Sequence, residues 1–384
     1  MGSRIAIIGL GFTPARPTSS HQSYKEMMFE AAQRAYADAG IEAADVQSFV
    51  TCAEDLNEGL SIFDEYTPDQ LGAMLKPMHT LTQDGLHGLA DAAMQILSGL
   101  FELVVVEAHS KASNIVAPDW VADYATDPVL NRPLGLNPHY IAGLEMQRFL
   151  HETGVTHEQC AHVAAKNYRH ALRNLAAAYP AHLEAQDVLH SPPAFEPLHE
   201  REIARTADGC IVLVVASEER ARRSAAKPVW VRGMGWANGS FALETRNWAR
   251  PDYVRHAADI AYRQAGINDP AREIQLFEVD DTYAYKELQH LAELGIFANA
   301  ADAARATQQG QTQLGARLPV NVSGGVLGMG NLLEANGLAR AAELVLQLRG
   351  QAGARQVEGA RVGLAQSWRG VPTTSAAVAV LSVE

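Results

Sequence analysis

The sequence predicts an α/β fold of two similar halves, the first interrupted by a helical insertion. Three observations predict it. Continuous apolar strands alternate with amphipathic helices, the pattern of sheets covered on both faces. A strand–helix–strand unit occurs twice at nearly constant offset: Gly9 and Gly11 recur as Gly233 and Gly235, and Gly40, closing the first helix, recurs as Gly266. The stretch Lys111–Arg205 has no counterpart in the second half. Elements repeated in the same order at one spacing mark an internal duplication.

In chain order, the first strand is Arg4–Gly9, and the helix after it ends Ala39-Gly40-Ile41. Glycine there supplies the left-handed cap that stops a helix. An acidic turn leads to the strand VQSFVT, and helix Leu89–Leu97 leads to the strand Glu102–Glu107. The proline-punctuated insertion follows, and the half closes with the strand Cys210–Ala216. The charged stretch Arg220–Lys227 suits a connection between halves. The second half repeats the order: a strand from Val229, a helix ending Ala265-Gly266-Ile267, the strand IQLFEV, helix Leu338–Leu348, and strands Arg361–Gln366 and Ala376–Val383. The expected units are 1–110 with 206–219, the insertion 111–205, and 228–384.

Composition narrows the functional classes. A chain of 384 residues holds two to three domain-sized units at about 150 residues each. With 47% hydrophobic and 20% charged residues it is globular, not disordered. Its 31 basic against 44 acidic residues leave a net charge of −13, which opposes binding to phosphate backbones, so nucleic acid is not an expected partner. Cys52, Cys160 and Cys210 show no paired spacing, which argues against a disulfide framework or a cysteine-rich zinc site. His151, His157, His162 and His170 match no metal-ligand spacing and read as a solvated helix face, so no metal is expected. The start MGSRIAIIGLGF is glycine-broken and too short for a secretory core, and no apolar run reaches the roughly 18 residues of a membrane span. The expectation is a cytoplasmic protein.

Three motifs carry possible chemistry. Gly9-Leu10-Gly11 starts a dinucleotide fingerprint, but Pro14 occupies the place of its third glycine. The run Asn321-Val322-Ser323-Gly324-Gly325-Val326-Leu327-Gly328-Met329-Gly330-Asn331 either opens a helix whose free N–H groups face an oxyanion or forms a tight turn in a packed junction. The cluster Phe277–Tyr285 sets Asp280, Asp281, Tyr283 and Tyr285 where a strand gives way to a helix. That is a favoured ligand position in open sheets. Its other reading is a helix capped by Asp281 beside two core tyrosines.

Together these features resemble the thiolase superfamily, nearest to the sterol-carrier-protein-type and archaeal-type acetyl-CoA acetyltransferase branch. Thr206-Ala207-Asp208-Gly209 with Ala216-Ser217-Glu218-Glu219 is similar to that family's DGAAA…SEE run. Asn321-Val322-Ser323-Gly324-Gly325 is similar to its NPSGG, and Gln347-Leu348-Arg349-Gly350 to its QLRG. The resemblance implies a thiolase fold, duplicated α/β halves in a five-layer αβαβα sandwich with an inserted helical loop domain. The chain departs from the family at the catalytic positions. The nucleophilic cysteine of Cys-x-x-Gly aligns with Thr82, ahead of Gly85. The histidine of Gly-His-Pro aligns with Asn331, and that of Val-His-Asp with Asp280. The last motif, a Cys/Asn-x-Gly-Gly turn, aligns loosely with Ser367-Trp368-Arg369-Gly370.

Acyl transfer through a thioester needs a thiolate and a base to make it, and a threonine hydroxyl is a far weaker nucleophile. Retro-aldol cleavage needs only a stabilised oxyanion and a base for the β-hydroxyl proton. The pattern therefore resembles the thiolase-like aldolases of bacterial steroid side-chain degradation, which lack the nucleophile and cleave a β-hydroxyacyl-CoA. The alternatives are a non-catalytic thiolase-like subunit and an atypical acyl-CoA thiolase. The resemblance implies proton carriers among Asp280, Tyr283 and Tyr285, with Asn331 as a hydrogen-bond donor. It implies oxyanion contacts from the backbone at Thr82, Gly85, Gly328 and Gly330, and a substrate pocket drawn from His87, Ser323, Gly324, Trp368 and Arg369. It further implies coenzyme A only as part of the substrate, with no covalently bound cofactor, a homodimer, and a small OB-fold partner subunit that often carries a zinc ribbon.

Overall fold

Among the described residues nine strands pair into one sheet: β1 Ile5–Phe12, β2 Ser48–Cys52, β3 Met78–Leu81, β4 Leu103–Lys111, β5 Asp208–Ser217, β6 Val229–Asn238, β7 Leu276–Glu278, β8 Val362–Arg369 and β9 Ser375–Ser382. The structure is a computed structural model that describes residues 4–59, 62–115, 122–370 and 374–384. The strand order is β3-β2-β4-β5-β1-β6-β9-β8-β7. Outward from the β1–β6 seam, one half runs β1-β5-β4-β2 and the other β6-β9-β8-β7, equivalent strands in the same order, with β3 an extra edge strand. At the seam β1 lies antiparallel to β6, Ile5 opposite Val231 and Ile7 opposite Val229. The duplication read from the sequence is therefore a pseudo-two-fold arrangement of one continuous sheet.

The helices that position the site are α1 Tyr24–Ala39, α2 Gly85–Leu97, α3 Pro138–Thr153, α4 His157–Ala171, α5 Asp252–Ala265, α6 Ala284–Glu293, α7 Gly325–Met329 and α8 Asn336–Arg349. α1 starts at a capping box, Ser23 against Glu26, and stops at Gly40 in the left-handed region with φ 66°. α5 stops the same way at Gly266 with φ 68°. Among the described residues no helix is long and apolar enough to cross a membrane.

The repeated glycines have a packing reason. β1 touches α1 so closely that a Cβ on Gly9 or Gly11 would run into the carbonyl oxygens of Ala35 and Ala31. β6 touches α5 in the same way, Gly233 and Gly235 facing the carbonyls of Ala261 and Ala257. α1 covers the outer face of the first half, and α5 that of the second. α2 and α8 lie between the inner faces, where one apolar cluster joins them to strands of both halves. This gives helix, half-sheet, helix pair, half-sheet, helix, the five-layer sandwich expected. The two halves are stapled by Arg349 of α8, which donates to Asp38 at 2.6 Å, to the Ile8 carbonyl at 2.9 Å and to the Lys227 carbonyl at 2.9 Å. That is the structural work of the Arg in QLRG.

Between β4 and β5 the chain supplies α3 and α4, and both add side chains to the second half's core. The expected solvated histidine face holds for His151, exposed near the end of α3, and is corrected for His170. α4 is largely buried, and its His170 fits between the Asn321 carbonyl, 2.9 Å from Nδ1, and the Leu314 N–H, 3.2 Å from Nε2. Burial pushes that imidazole down to about 3, so it stays neutral. His157 is held by Glu202 at 2.8 Å. Polar periodicity misled because these polar groups are paired internally rather than hydrated.

Gly235→Ala is expected to destabilise the fold by about 1–3 kcal/mol through overpacking, read from urea unfolding midpoints. A cost near zero would mean that α5 moves freely away from β6.

Candidate active site

α2 and α8 are equivalent helices, and their N-termini meet. Asp84, the N-cap of α2, accepts from the Leu86 N–H on Oδ1 at 2.9 Å and from the Gly337 N–H of α8 on Oδ2 at 2.8 Å. One buried carboxylate thus serves two positive helix ends. Gly337 is required there, because a Cβ would strike Asp84. Gly85 is likewise a packing residue, its missing side chain admitting Leu338. The Leu86 N–H next to it is spent on the Asp84 cap.

Beside this junction lies a cleft of about 1000 Å³, lined from both halves and from the insertion. Thr82, Tyr283, Asn331, Trp368 and Arg369 all line it, as does His139 of α3. These five expected residues come from distant parts of the chain and are brought together.

Asn331 is fixed on all sides. Its backbone N–H donates to the Arg205 carbonyl at 2.8 Å, and its carbonyl accepts from Ala207 at 2.9 Å. Its Oδ1 accepts from the Leu333 N–H at 3.0 Å and from Asn336 Nδ2 at 2.8 Å, while Asn336 Oδ1 accepts from the Leu332 N–H at 2.9 Å. Backbone donors settle the orientation of both amides. With its oxygen consumed, Asn331 offers the cleft its Nδ2 donor.

Tyr283 is only 4% exposed. Its hydroxyl lies 3.0 Å from His139 Nδ1. Its ring meets Trp368 edge to face at 6.2 Å. Trp368 is anchored by Nε1 donating to Tyr253 at 2.8 Å. Arg369 spans Glu54 at 3.3 Å and Glu334 at 2.8 Å, so its charge is already met by two carboxylates.

Thr82 is exposed to the cleft, and no thiolate stands near it. Cys52 is close in space, since it pairs with Leu81 across β2 and β3. Its thiol is fully buried, and burial, with Glu107 adding to it, pushes it well above its ordinary value. All three cysteines are buried. Among the described residues no group of three His, Cys, Asp or Glu is arranged to hold a metal ion.

The other expected residues lie behind the cleft. Asp280 is fully buried, paired with Arg340 of α8 at 2.5 Å and accepting from the Thr282 N–H at 2.9 Å, so it is a structural ion pair rather than a cleft base. Tyr285 is fully buried beneath Tyr283, ring centroids 6.1 Å apart, and burial raises its hydroxyl far above the usual phenol. His87 is buried within α2 and pushed below its ordinary value, first by burial. Ser323 binds Glu278, Oγ to Oε2 at 2.5 Å, and Gly324 abuts Ala171 of α4. The N–H groups of Gly328 and Gly330 bond to Gly324 and Val326 carbonyls, each at 2.9 Å, so they are not open donors. The glycine-rich run is therefore the packed junction. Asp281 caps α7 rather than α6, accepting from the Val326 N–H at 2.5 Å and from Asn167 at 2.6 Å.

A pseudo-symmetric pair of α/β halves, with two central helices ending at one cleft, defines a thiolase-type fold. The comparisons agree. The family described as thiolase C-terminal domain-like matches residues 238–383. An acetyl-CoA acetyltransferase of Methanothermobacter thermautotrophicus is 30% identical over 362 residues, 92% of this chain and 93% of that one. A steroid side-chain-cleaving aldolase of Thermomonospora curvata is 29% identical over 362 residues, 88% and 90% of the two chains. A solved Ltp2-ChsH2(DUF35) aldolase superposes with a TM-score of 0.85 at 27% identity, covering 99% of this chain and 97% of that one. The chain belongs to the thiolase superfamily. These relatives are enzymes, of both the acetyltransferase and the aldolase kind.

Asp281 is raised to about 7, first by burial and then by Glu287 and Asp280, against the donors that cap it. An unfolded aspartate titrates near 4. Its contribution to stability is therefore full below that value and is lost as pH rises through about 7. Between pH 5.5 and 8.5 the wild type should lose more unfolding free energy than Asp281→Asn in denaturant titrations. Parallel curves would show that Asp281 is already ionised when folded.

Proposed function

We propose that this protein is a thiolase-like lyase that cleaves a β-hydroxyacyl-CoA by retro-aldol chemistry, forming no covalent enzyme intermediate. The observation that carries the reading is the cleft's inventory. It holds Tyr283 and the locked Asn331 amide, while Thr82 stands at the family nucleophile's position with no thiolate beside it. The likeness to two aldolases supports the same reading.

In this mechanism the Tyr283 oxygen receives the proton of the β-hydroxyl while its own phenolic proton passes to a neighbouring base. The O–H electrons become the new C=O, the Cα–Cβ bond breaks, and its pair enters the enolate of the departing acyl-CoA. The thioester oxygen gains negative charge in that step, and Asn331 Nδ2 meets it. A preorganised oxyanion donor is worth about 10²–10³ in rate. Cα is then protonated to give the shorter acyl-CoA and a ketone or aldehyde. Coenzyme A takes part only as the substrate's handle. Aromatic and aliphatic cleft residues such as Tyr124, Phe241 and Leu333 suit an apolar acyl group. We further propose a thiolase-type homodimer and an OB-fold partner subunit. The two-component name of the Ltp2-ChsH2(DUF35) aldolase supports the partner.

Acyl transfer has the acetyltransferase relative in its favour. The two chemistries separate by mass spectrometry. A β-hydroxyacyl-CoA panel incubated without free CoA yields a shorter acyl-CoA if the lyase reading holds. Cleavage only of β-ketoacyl-CoA, and only with free CoA, would replace it with a thiolase. Thr82→Ala should retain most lyase turnover, whereas Tyr283→Phe should lower kcat by about 10²-fold or more. Complete loss in Thr82→Ala would point to a nucleophilic hydroxyl.

A further inference from the structure

We propose that His139, supplied by the insertion, is the proton partner of Tyr283, and that the two move the substrate's hydroxyl proton as a unit. The proposal rests on the lyase reading of the same cleft.

A phenol cannot take up a proton before shedding its own, and for a phenol only 4% exposed that proton needs a specific acceptor. His139 Nδ1 stands 3.0 Å from the Tyr283 oxygen, and the rings meet edge to face at 5.8 Å and 78°. Both residues line the cleft. The step balances without any further reagent. Tyr283 passes its proton to Nδ1 as its oxygen receives the β-hydroxyl proton, and the bond pair between Cα and Cβ moves into the enolate. Tyr283 then delivers its proton to Cα, and the imidazolium reprotonates the phenolate. One proton has moved from oxygen to carbon, and the enzyme returns to its starting state.

The placement of His139 is built, not incidental. Asn137 caps α3, its Oδ1 accepting from the His139 N–H at 2.8 Å, and Pro138 sets the first turn. Further along α3, Glu145 forms a buried ion pair with Lys286 of α6. That lysine also sits 4.5 Å above the ring of Trp368. Tyr283 is the N-cap of α6. The helix carrying the imidazole is therefore latched to the helix that begins at the phenol. His139 acts through Tyr283, so it is a positioning and proton-exchanging residue.

The test uses the full chain and propanoyl-CoA in deuterium oxide, because Cα exchange reports the enolate half of the reaction whatever the carbonyl fragment. Wild type should incorporate deuterium, read by mass spectrometry. Tyr283→Phe and His139→Gln should each lower the rate at least about 10²-fold, with propanoyl-CoA affinity within about twofold by calorimetry. Added imidazole should restore exchange to His139→Ala, which a purely structural role would not permit. Exchange lost in Tyr283→Phe but kept in His139→Gln overturns the relay and leaves the lyase reading standing. No exchange and no β-hydroxyacyl-CoA cleavage by wild type overturns both.

Discussion

The shared cap at Asp84 is the constraint on which the rest of the site depends. Two helices related by the pseudo-two-fold end at one point, and each brings unsatisfied N–H groups and a positive end. Two such ends facing each other repel unless an anion lies between them. Asp84 supplies that anion from within, one oxygen to each helix. The floor of the cleft is thereby fixed to within a hydrogen bond, and Thr82, two residues earlier, and Asn331, just ahead of α8, inherit their positions from it. The same arrangement uses up positive field that would otherwise meet a substrate oxyanion. In the lyase reading proposed above, that shifts the burden onto a side chain, and Asn331 is the donor proposed for it.

The cleft is asymmetric although its scaffold is not. The duplicated halves provide paired sheets and paired helices, while α3 and α4 come from the insertion alone. Behind the cleft lies a dense set of buried charges: Asp280 with Arg340, and Lys166 with Glu287, which Asn167 and Asn321 also contact. Buried ion pairs contribute little net stability against apolar packing, but losing one partner is costly. Their effect is to hold α6, α7 and α8 in one register around the run from Val279 to Tyr283.

The fold was largely legible in the sequence, and the site only partly so. Gly9, Gly11, Gly233 and Gly235 revealed the duplication because close strand–helix contact leaves no room for a side chain. Thr82, Asn331, Trp368 and Arg369 lie at the cleft as family motif positions do, and Tyr283 lies there because a strand gives way to a helix beside it. Asp280 and Tyr285 were misassigned for a physical reason. A strand end offers side chains to both the cleft and the core, and one-dimensional spacing does not separate those faces. Gly328 and Gly330 misled because glycines serve close packing and anion contact equally well. His139 left no signal. It lies in a segment with no repeat counterpart, 144 residues from its partner, and only the tertiary fold joins them.

The latch between Glu145 and Lys286 has a further consequence. An ion pair sealed from water has no inexpensive intermediate separation. Drawn slightly apart, each charge loses its partner before solvent arrives to replace it. A contact of this kind does not stretch gradually under thermal load; it is made or it is broken. Drawing the imidazole away from the phenol along this route therefore carries the cost of an unpaired buried charge.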